Sequence, residues 1–378
     1  MRLFFVIRNS PFEPQTGTEV FIHNLARQLA RVDVETGLIY AGTAPSGGMS
    51  DGVDYHPMTT KTTPLLSTLD FARSMAFCAT RIISRDKPDV VVAAAAGTFG
   101  GLVFRALRDT KCMFYAMDSM PVEYQRMVPE LRMYPPGYRL RNLVDHAFFS
   151  VVEWWAVRSS DHVLASSSDT RSSIVSRYRY PPSNVSVVYE GIPSNYASGM
   201  ASYQPRTPVF LHVGGGARKG TSYFVKALGL LRAEFKVAAK GIITRADFLA
   251  KQTAELQSNI QVFEWLDNDS LKKLYASCTA LVAPSMSEGF CLPVIEAAAF
   301  GKPSIVSDAG SLPELVTDSR NGIVVSPITA ANLAKAMYQL SVNPAMAESM
   351  GREALARLDS FTLESCARRF LDIIERHS

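Results

Sequence analysis

The sequence predicts an α/β protein made of two similar halves, and three observations support that fold class. Its 378 residues are enough for two ordinary domains, since a single core of that size is unusual. Short runs of β-branched or aromatic residues alternate with longer amphipathic stretches, which indicates parallel strands joined by crossover helices. The alternation is interrupted at 181–206 by a stretch rich in Pro, Ser, Gly and Asn, and it then restarts.

The first half begins with the apolar run LFFVIR, which predicts a buried first strand. A signal peptide fits this run less well, because Arg8 interrupts it and no small-residue cleavage site follows. Val20, Phe21, Leu25 and Leu29 then form the apolar stripe of an amphipathic helix, EVFIHNLARQLA. The other predicted strands of this half are ETGLIYA, PDVVVAAAA, KCMFYAMD and DHVLASS, and the other predicted helices are LDFARSMAFCATRIISRD and GTFGGLVFRALRD.

The second half repeats the alternation after a linker stretch that contains one short strand, VSVVYE. Its predicted strands are PVFLHVG, FKVAAKG, IQVFEW, ALVAPS and GIVVSP, and its predicted helices are TSYFVKALGLLR, SLKKLYASC, ITAANLAKAMYQLSVN and FTLESCARRFLDIIERH. The predicted division is a first domain at 1–192, a linker at 193–206, a second domain at 207–358 and a C-terminal helix at 359–378 that packs back on the first domain. The junction of two such halves is the expected ligand site.

Composition and charge exclude several classes of protein. A net charge of +4 is too small to indicate a nucleic-acid-binding protein, although it permits contact with anionic substrates or a membrane surface. The longest apolar run, VVVAAAAG, is far shorter than the ~20 residues that a membrane-spanning helix requires. The five cysteines are odd in number and lack metal-ligand spacing, which favours a reduced, cytoplasmic setting.

The stretch SEGFCLPVIEAAAFGKP at 287–303 is the most informative part of the chain. It predicts a glycine turn after the strand ALVAPS, then a helix with Pro293 at its first position and its end at Gly301. Backbone N–H groups at such a helix N-terminus are suited to bind a phosphate. Glu288 and Glu296 have no obvious cationic partner nearby. They can contact a sugar and a ribose, or they can simply be favourable partners of the helix dipole.

The stretch HVGGGARKGTSYF at 212–224 predicts a second strand, glycine loop and helix. The three consecutive glycines at 214–216 let the backbone approach a ligand closely. Arg218 and Lys219 place two cations where a diphosphate would lie. Alone the loop is weak evidence, because glycine turns before helices are common in α/β folds.

These two stretches together resemble the retaining glycosyltransferases of family 4, which have the GT-B fold. The resemblance rests on GGGARKG, followed later by PSMSEGFCLPVIEAAAFGKPSIVSDAGSLPELV. Glu288 and Glu296, with seven residues between them, match the paired glutamates of the family. The strand GKPSIV and the turn from Gly310 to Glu314 follow in the family's order. The similarity extends over both halves and is strong in the second.

The resemblance implies two Rossmann-like domains that face each other across a cleft, with the donor bound by the second. It implies metal-independent, retaining transfer of a hexose from a UDP-, GDP- or ADP-linked sugar, without a cofactor. The acceptor would be a glycan or lipid-linked oligosaccharide, in bacterial surface polysaccharide or glycolipid assembly. Arg218 and Lys219 would hold the diphosphate, Glu296 the ribose and Glu288 the transferred sugar. The implied catalytic residues are Glu288, Lys219, Arg218 and Asp118, and the implied donor-binding residues are Gly17, Thr18, Gly214, Gly215, Gly216, Arg218, Lys219, Trp265, Leu266, Glu288, Gly289, Phe290, Cys291, Leu292 and Glu296.

Some positions depart from the family pattern. Gly215 takes the place of the usual arginine of the glycine loop, for which Arg218 is the substitute. Met117 stands where the family has a histidine close to the donor sugar, before a retained Asp118. Asp118 acts in catalysis or merely caps the segment that follows it. Cys291, where family members often have glycine, is interpreted as a small buried residue and not as a nucleophile.

The loop NSPFEPQTGTEVF after the first strand resembles the family's first glycine loop, which faces the diphosphate and the acceptor. Gly17 and Thr18 would supply its backbone donors. The alternative is a plain turn from a strand to a helix.

The stretch at 132–160 combines arginines with aromatic residues. One interpretation is a basic, aromatic surface that touches a membrane, formed by Arg132, Arg139 and Arg141 with Tyr134, Tyr138, Phe148, Phe149, Trp154 and Trp155. The alternative is that the same residues belong to the core. Residues 147–157 are apolar on nearly all sides, which favours a buried helix. The basic part before them, with Arg132, Arg139 and Arg141, is the candidate for peripheral contact with the inner face of the membrane or with the acceptor.

Two other functions remain open. A sugar-nucleotide epimerase shares the fold, although the Glu288–Glu296 pair does not suit its acid–base chemistry. A catalytically degenerate subunit that binds nucleotide sugars is suggested by Met117 and by the missing loop arginine. The six histidines show no ligand spacing, so we predict no bound metal, and DNDS at 267–270 is interpreted as a helix cap.

Overall fold

The computed structural model describes residues 1–12, 17–42, 48–58, 67–95, 98–107, 110–132, 134–244 and 258–377. The chain divides into two compact units, one formed by Met1–Pro121, Leu143–Pro193 and Thr362–Ser378, the other by Val122–Asn142 and Ser194–Phe361. The segment 122–142 therefore belongs to the second unit, whereas the predicted first domain included it. The C-terminal segment belongs to the first unit.

The first unit is built on a sheet with a topological switch point at its centre. Its strands are β1 (Arg2–Asn9), β2 (Glu35–Ala41), β3 (Gly48–Ser50), β4 (Val53–Met58), β5 (Val90–Ala94), β6 (Lys111–Ala116), β7 (His162–Ala165) and β8 (Val185–Val187). They lie in the order β3-β4-β2-β1-β5-β6-β7-β8, and every pairing except β3 with β4 is parallel. The chain extends the sheet in opposite directions from β1 and β5, so the loops after these two strands lie at the switch point.

The second unit is built on a wholly parallel sheet. Its strands are β9 (Val209–Val213), β10 (Lys240–Thr244), β11 (Ile260–Phe263), β12 (Ala280–Ala283), β13 (Ser304–Ser307) and β14 (Gly322–Val325). They lie in the order β11-β10-β9-β12-β13-β14. The predicted fold class, parallel sheets joined by crossover helices in two α/β halves, is confirmed.

Helices connect the strands in both units. The described helices are α1 (Gly17–Ala30), α2 (Ser67–Asp86), α3 (Gly100–Arg105), α4 (Met120–Leu131), α5 (Pro136–Ser159), α6 (Ser168–Tyr178), α7 (Thr221–Ala233), α8 (Asn268–Ser277), α9 (Leu292–Ala299), α10 (Leu312–Leu315), α11 (Ala330–Val342), α12 (Pro344–Ala356) and α13 (Leu363–His377). The cap predicted at 267–270 is confirmed, because the carboxylate of Asp267 accepts a hydrogen bond of 2.8 Å from the N–H of Ser270 at the start of α8.

Successive side chains along a strand of the first sheet point to opposite faces, where they pack against two different layers of helices. Phe4 packs in a core with α2, α3, α5 and α6, which lie on one face of the sheet. Its neighbour Phe5 points to the opposite face, where its ring centroid lies 5.6 Å from that of Phe370 on α13. On that second face Phe21 of α1 contacts Tyr115, with ring centroids 5.7 Å apart. The first unit thus has α1 and α13 on one side and four helices on the other.

The prediction of a buried helix at 147–157 is wrong for most of its length. In this stretch Glu153, Ala156 and Val157 are buried on α5, whereas Val151 is 65% exposed and Trp154 is 47% exposed. The helix carries apolar side chains both toward the sheet and away from it. Composition alone does not distinguish these two sides.

Two predicted element boundaries also differ from the structure. The strand predicted at FKVAAKG begins only at Lys240, because α7 continues to Ala233 and Lys236 adopts a left-handed backbone conformation that a strand does not accept. Helix α9 begins at Leu292, so Pro293 occupies its second position. A proline is tolerated there too, since the first N–H groups of a helix have no intrahelical partner.

Candidate functional site

The two motif loops of the second unit leave its sheet side by side. The sheet extends from β9 in one direction through β10 and β11, and from β12 in the other through β13 and β14. The loop 214–220 follows β9 and the turn 284–291 follows β12, so both lie at the topological switch point. Ligands of open α/β sheets bind at this position.

Close backbone approach joins the two loops. Gly220 has a φ of +65°, and a Cβ atom on it would lie 2.0 Å from the carbonyl oxygen of Pro284. The N–H of Met286 donates a hydrogen bond of 2.8 Å to the carbonyl of Arg218. Only glycine meets both demands at 220, because it lacks a Cβ and accepts a left-handed conformation. Arg218 and Lys219 are thereby held against the turn.

Glu288 is the centre of an ion-pair cluster in which the two predicted cations meet. Its Oε1 accepts hydrogen bonds from Lys219 Nζ at 2.6 Å and from Ser285 Oγ at 2.7 Å. Its Oε2 accepts one from Arg218 Nη1 at 3.0 Å. Arg218 Nε also lies 3.8 Å from the carboxylate of Glu123 on α4. Glu288 therefore has two cationic partners, contrary to the expectation from its local sequence.

The cluster holds Glu288 in its ionised form. The side chain is 3% exposed, and burial alone would raise the pKa of its carboxyl. The charges of Lys219 and Arg218, together with the hydrogen bonds from Lys219 and Ser285, outweigh burial and lower the pKa to about 2. At neutral pH this carboxylate is a fixed negative charge and not a proton donor.

The turn around Glu288 is fixed by the glycine of the next motif. Gly310 has a φ of +59°, and a Cβ atom there would lie 2.2 Å from the carbonyl oxygen of Glu288. That same carbonyl accepts a hydrogen bond of 2.9 Å from the N–H of Ser311. The GxxPE stretch thus supports the position of Glu288 through the backbone.

The residues that lead into α9 contribute backbone more than side chains. Phe290 and Cys291 are buried, and Cys291 is the N-cap of α9. Burial and the neighbouring charge of Glu288 raise the pKa of the Cys291 thiol to about 12. A protonated, buried thiol is a poor nucleophile. Gly289 and Leu292 flank these residues in the turn and at the first position of the helix.

Glu296 lies on α9, where two tyrosine hydroxyls bind its carboxylate. Its Oε2 accepts a hydrogen bond of 2.6 Å from the hydroxyl of Tyr275, which is buried on α8. Burial first, and then the charge of Glu296, raise the pKa of Tyr275 well above its ordinary value. The same two causes raise the pKa of Tyr196, which also hydrogen-bonds to Glu296. Two neutral hydroxyls therefore bind this carboxylate.

The other predicted residues of the second unit lie at the same edge of the sheet. Gly214 and Gly216 of the glycine loop have φ values of +99° and +100°, with Gly215 between them. Trp265 and Leu266 follow β11, and Trp265 is 58% exposed. An exposed aromatic ring beyond a strand end is available to stack on a ligand.

The predicted residues of the first unit lie at the ends of its own strands. Gly17 and Thr18 begin α1 after β1, next to that sheet's switch point, while 13–16 lie outside the described residues. Asp118 follows β6, and its carboxylate accepts a hydrogen bond of 2.8 Å from the N–H of Ser119, just before α4. The N–H of Met120, the first residue of α4, donates instead to Glu153 Oε2 at 2.9 Å, so both interpretations of Asp118 stay predictions.

The partners of the two glutamates were not among the predicted site residues. Ser285 lies three residues before Glu288 in the same motif, so its proximity could have been inferred from the turn. Tyr196, Tyr275 and Glu123 are distant in sequence from the groups that they contact, and no local pattern indicates them.

In the described part of the chain, no group of three or more His, Cys, Asp or Glu side chains is arranged to hold a metal ion. None of its helices combines the length and apolar character that crossing a bilayer demands.

Comparison with known proteins identifies the family. The model named Glycosyltransferase Family 4 matches residues 15–196, and the model for glycosyl transferases group 1 matches residues 203–357. Glycogen synthase from Mycobacterium tuberculosis is 31% identical over 219 residues, which are 55% of this chain and 52% of that protein. The chain spans about half the length of the curated relatives it matches.

Solved structures show the same fold. Sucrose-phosphate synthase from Thermosynechococcus elongatus superposes with a TM-score of 0.79 at 17% identity, covering 99% of this chain and 98% of the other. HepE from Anabaena in complex with UDP-glucose gives a TM-score of 0.72 at 16% identity and covers both chains fully. These structures show the GT-B fold, and the two consecutive family models show that the chain belongs to glycosyltransferase family 4.

Proposed function

We propose that the protein is a retaining hexosyltransferase that transfers a sugar from a nucleoside-diphosphate sugar to an acceptor hydroxyl. The observation that carries the proposal is the cluster of Glu288, Lys219 and Arg218 at the switch point of the second sheet. It combines two cations with an ionised carboxylate at a position where α/β sheets bind nucleotides.

The two cations retain groups that can bind a diphosphate. The side chain of Arg218 is 35% exposed and that of Lys219 is 18% exposed. An ammonium has three N–H donors, and the bond from Lys219 to Glu288 uses one of them, so Lys219 can also bind a phosphate oxygen. The planar guanidinium of Arg218, which contacts Glu288, Ser287 and Glu123, is suited to bind a phosphate through two parallel N–H groups. The diphosphate would share these cations with Glu288.

The charges of the cluster match the charges that develop during transfer. Breaking the bond between the anomeric carbon and the diphosphate leaves negative charge on the phosphate and positive charge on the sugar ring. Arg218 and Lys219 stabilise the former and Glu288 the latter, in a preorganised and partly buried setting. The acceptor oxygen bonds to the anomeric carbon on the face that the diphosphate leaves, and its proton passes to a departing phosphate oxygen.

The same cluster argues against an epimerase. That reaction needs a group that exchanges a proton near neutral pH. The pKa of Glu288 is about 2 and that of Cys291 is about 12, so neither side chain suits this role. Sugar transfer instead requires stabilisation of the positive charge on the sugar ring, which a permanently ionised Glu288 supplies.

Glu296 and Trp265 complete the proposed donor site. Glu296 would accept hydrogen bonds from the ribose hydroxyls, and the exposed ring of Trp265 would lie near the base. Because HepE is described in complex with UDP-glucose, UDP-glucose is the first donor to test. The proposed acceptor is a glycan or lipid-linked oligosaccharide of bacterial surface polysaccharide or glycolipid assembly.

Turnover with purified protein tests the proposal. The protein is incubated with UDP-, GDP- and ADP-glucose, with and without a lipid-linked oligosaccharide fraction, and release of nucleoside diphosphate is measured. We expect release that depends on the acceptor, a product that keeps the α configuration by NMR, and activity that continues in EDTA.

Two results would overturn this function. Acceptor-independent formation of an altered sugar would indicate an epimerase. Donor binding in a thermal-shift assay without turnover on any acceptor fraction would indicate a nucleotide-sugar-binding subunit.

A further inference from the structure

Helix α5 presents a continuous apolar surface on the side that faces away from its sheet. Leu143 is 45% exposed, Val144 57%, Phe148 36%, Val151 65% and Trp154 47%. We call these five residues the α5 stripe.

The α5 stripe has helical spacing and lies opposite the buried side of the helix. Its members are separated by one, three or four positions, and at 100° per residue they fall on one side of α5. The buried residues Glu153, Ala156 and Val157 lie on the other side. From Leu143 to Trp154 the stripe is about 16 Å long at 1.5 Å per residue. Large apolar side chains gathered on one exposed surface indicate a binding surface.

Exposed arginines accompany the stripe. The guanidinium of Arg158 lies 6.0 Å from the ring centroid of Trp154, at the end of the stripe. On α2, which lies on the same face of the sheet, Phe77 is 70% exposed with Arg73 and Arg81 one turn before and after it. Both helices thus combine an exposed aromatic ring with neighbouring guanidinium groups.

The charge of this face differs from that of the opposite one. In the first unit, the exposed charged side chains described on α2, α3, α5 and α6 include one acidic residue, Asp145. The basic ones are six arginines: Arg73, Arg81, Arg85, Arg105, Arg158 and Arg177. Arg85 forms an ion pair with Asp86 of the same helix, which leaves the other five to set the charge of the face.

On α1 and α13 the described exposed charges are balanced, with Arg368 and Arg376 against Asp372 and Glu375. The face that carries the α5 stripe is therefore basic, and the other face is neutral.

We propose that the α5 stripe and its arginines bind the surface of an anionic lipid bilayer. Apolar side chains on an interfacial helix enter the boundary between head groups and acyl chains, and each nearby arginine gains from the negative surface potential. A second copy of this chain explains the surface less well, because two such faces would bring arginines against arginines. Binding to a bilayer requires neither donor nor acceptor, so it stands or fails separately from the proposed transfer.

Co-sedimentation with vesicles tests this surface. The full chain is mixed with vesicles of phosphatidylcholine alone and of equimolar phosphatidylcholine and phosphatidylglycerol. The double variant V144E/V151E adds two negative charges to the stripe at exposed positions. The matched control R368E changes the net charge by the same amount on α13, on the opposite face of the sheet.

The expected result is binding of the wild-type protein to the anionic vesicles only, weakened by salt. V144E/V151E should reduce the bound fraction about tenfold, and R368E should leave it nearly unchanged. Circular dichroism and thermal melting of each variant establish that the fold is retained.

Three outcomes would overturn the proposal. The first is absence of binding by the wild-type protein. The second is equal loss of binding in V144E/V151E and R368E. The third is a wild-type dimer in sedimentation velocity without vesicles that V144E/V151E converts to a monomer, because the stripe would then bind a second copy.

Discussion

Glu288 and Glu296 lie in one segment with seven residues between them, yet their surroundings differ. Glu288 is nearly fully buried and is bound by Lys219, Arg218 and Ser285. Glu296 is half-buried and is bound by the hydroxyls of two tyrosines. The first carboxylate is one charge in a cluster with cations, and the second accepts hydrogen bonds from two neutral hydroxyls.

This difference indicates separate roles for two residues that form one sequence signature. Hydrogen bonds from ionised donors are stronger than those from neutral ones, and the paired cations keep Glu288 charged in a buried position. A charge of this kind affects the transition state, in which new charge appears. A half-buried carboxylate held by hydroxyls suits recognition of other hydroxyls. We therefore expect Glu288 to affect kcat and Glu296 to affect the KM for the donor.

The largest effect is expected for E288Q. The amide keeps the shape of the side chain and removes the charge, so we expect kcat to fall by about 10³-fold. The donor KM should fall or remain similar, because Lys219 and Arg218 lose an anion that competes with the diphosphate. Steady-state kinetics with E353Q, which changes an exposed surface ion pair, provide the control. A kcat for E288Q within tenfold of wild type would contradict the assigned role of the charge.

The second largest effect is expected for the contribution of Glu288 to the free energy of unfolding at acid pH. The pKa of Glu288 is about 2 in the folded protein and 4.5 as its ordinary value, so folding favours the ionised form. Its contribution, about 3 kcal/mol, is fully present above pH ~4.5 and is lost as the pH falls toward 2. We expect the difference in free energy of unfolding between wild type and E288Q, measured with urea, to shrink from pH 6 to pH 3. If the free energies of unfolding of wild type and E288Q instead changed in parallel with pH, the carboxylate of Glu288 would not be stabilised in its charged form.

The two cations should differ in their effect on activity. Lys219 is the more buried and lies 2.6 Å from Glu288, whereas Arg218 is more exposed and is shared with Ser287 and Glu123. We expect K219A to lower kcat/KM about 100-fold and R218A about tenfold, since buried charges act through a lower dielectric. K335A, an exposed lysine on α11, should have no effect. Equal losses for K219A and R218A would show that burial does not distinguish these cations.

More of the fold than of the contacts within the site could be predicted from the sequence. The sequence predicts the alternating strands and helices, and the two motif loops after β9 and β12. Each of these features depends on residues that are close in sequence. The partners of Glu288 lie 69 and 70 positions away, and Tyr275 lies 21 positions from Glu296. Such pairs form only when parallel strands bring separate loops to one edge of the sheet.

The exposure of α5 was unpredictable for a related reason. Its two sides are similarly apolar, and which one the sheet covers depends on how the whole helix docks. Val151 and Val157 have the same side chain, yet Val151 is 65% exposed and Val157 is buried. Hydrophobic pattern identifies the helix, and only the packed structure identifies its exposed side.

The smallest effect, and the sharpest test of the comparison, is expected for Y275F. This change removes one of the two hydroxyls that hold Glu296 and leaves Tyr196 in place. We expect the donor KM to rise about threefold with kcat unchanged, against about tenfold for E296Q, because both changes weaken ground-state and transition-state binding equally. Y338F, a tyrosine that stacks on Phe235 of the second unit, controls for loss of a hydroxyl elsewhere. If Y275F instead lowers kcat as E288Q does, the tyrosine affects the reacting centre, and the two carboxylates belong to one network.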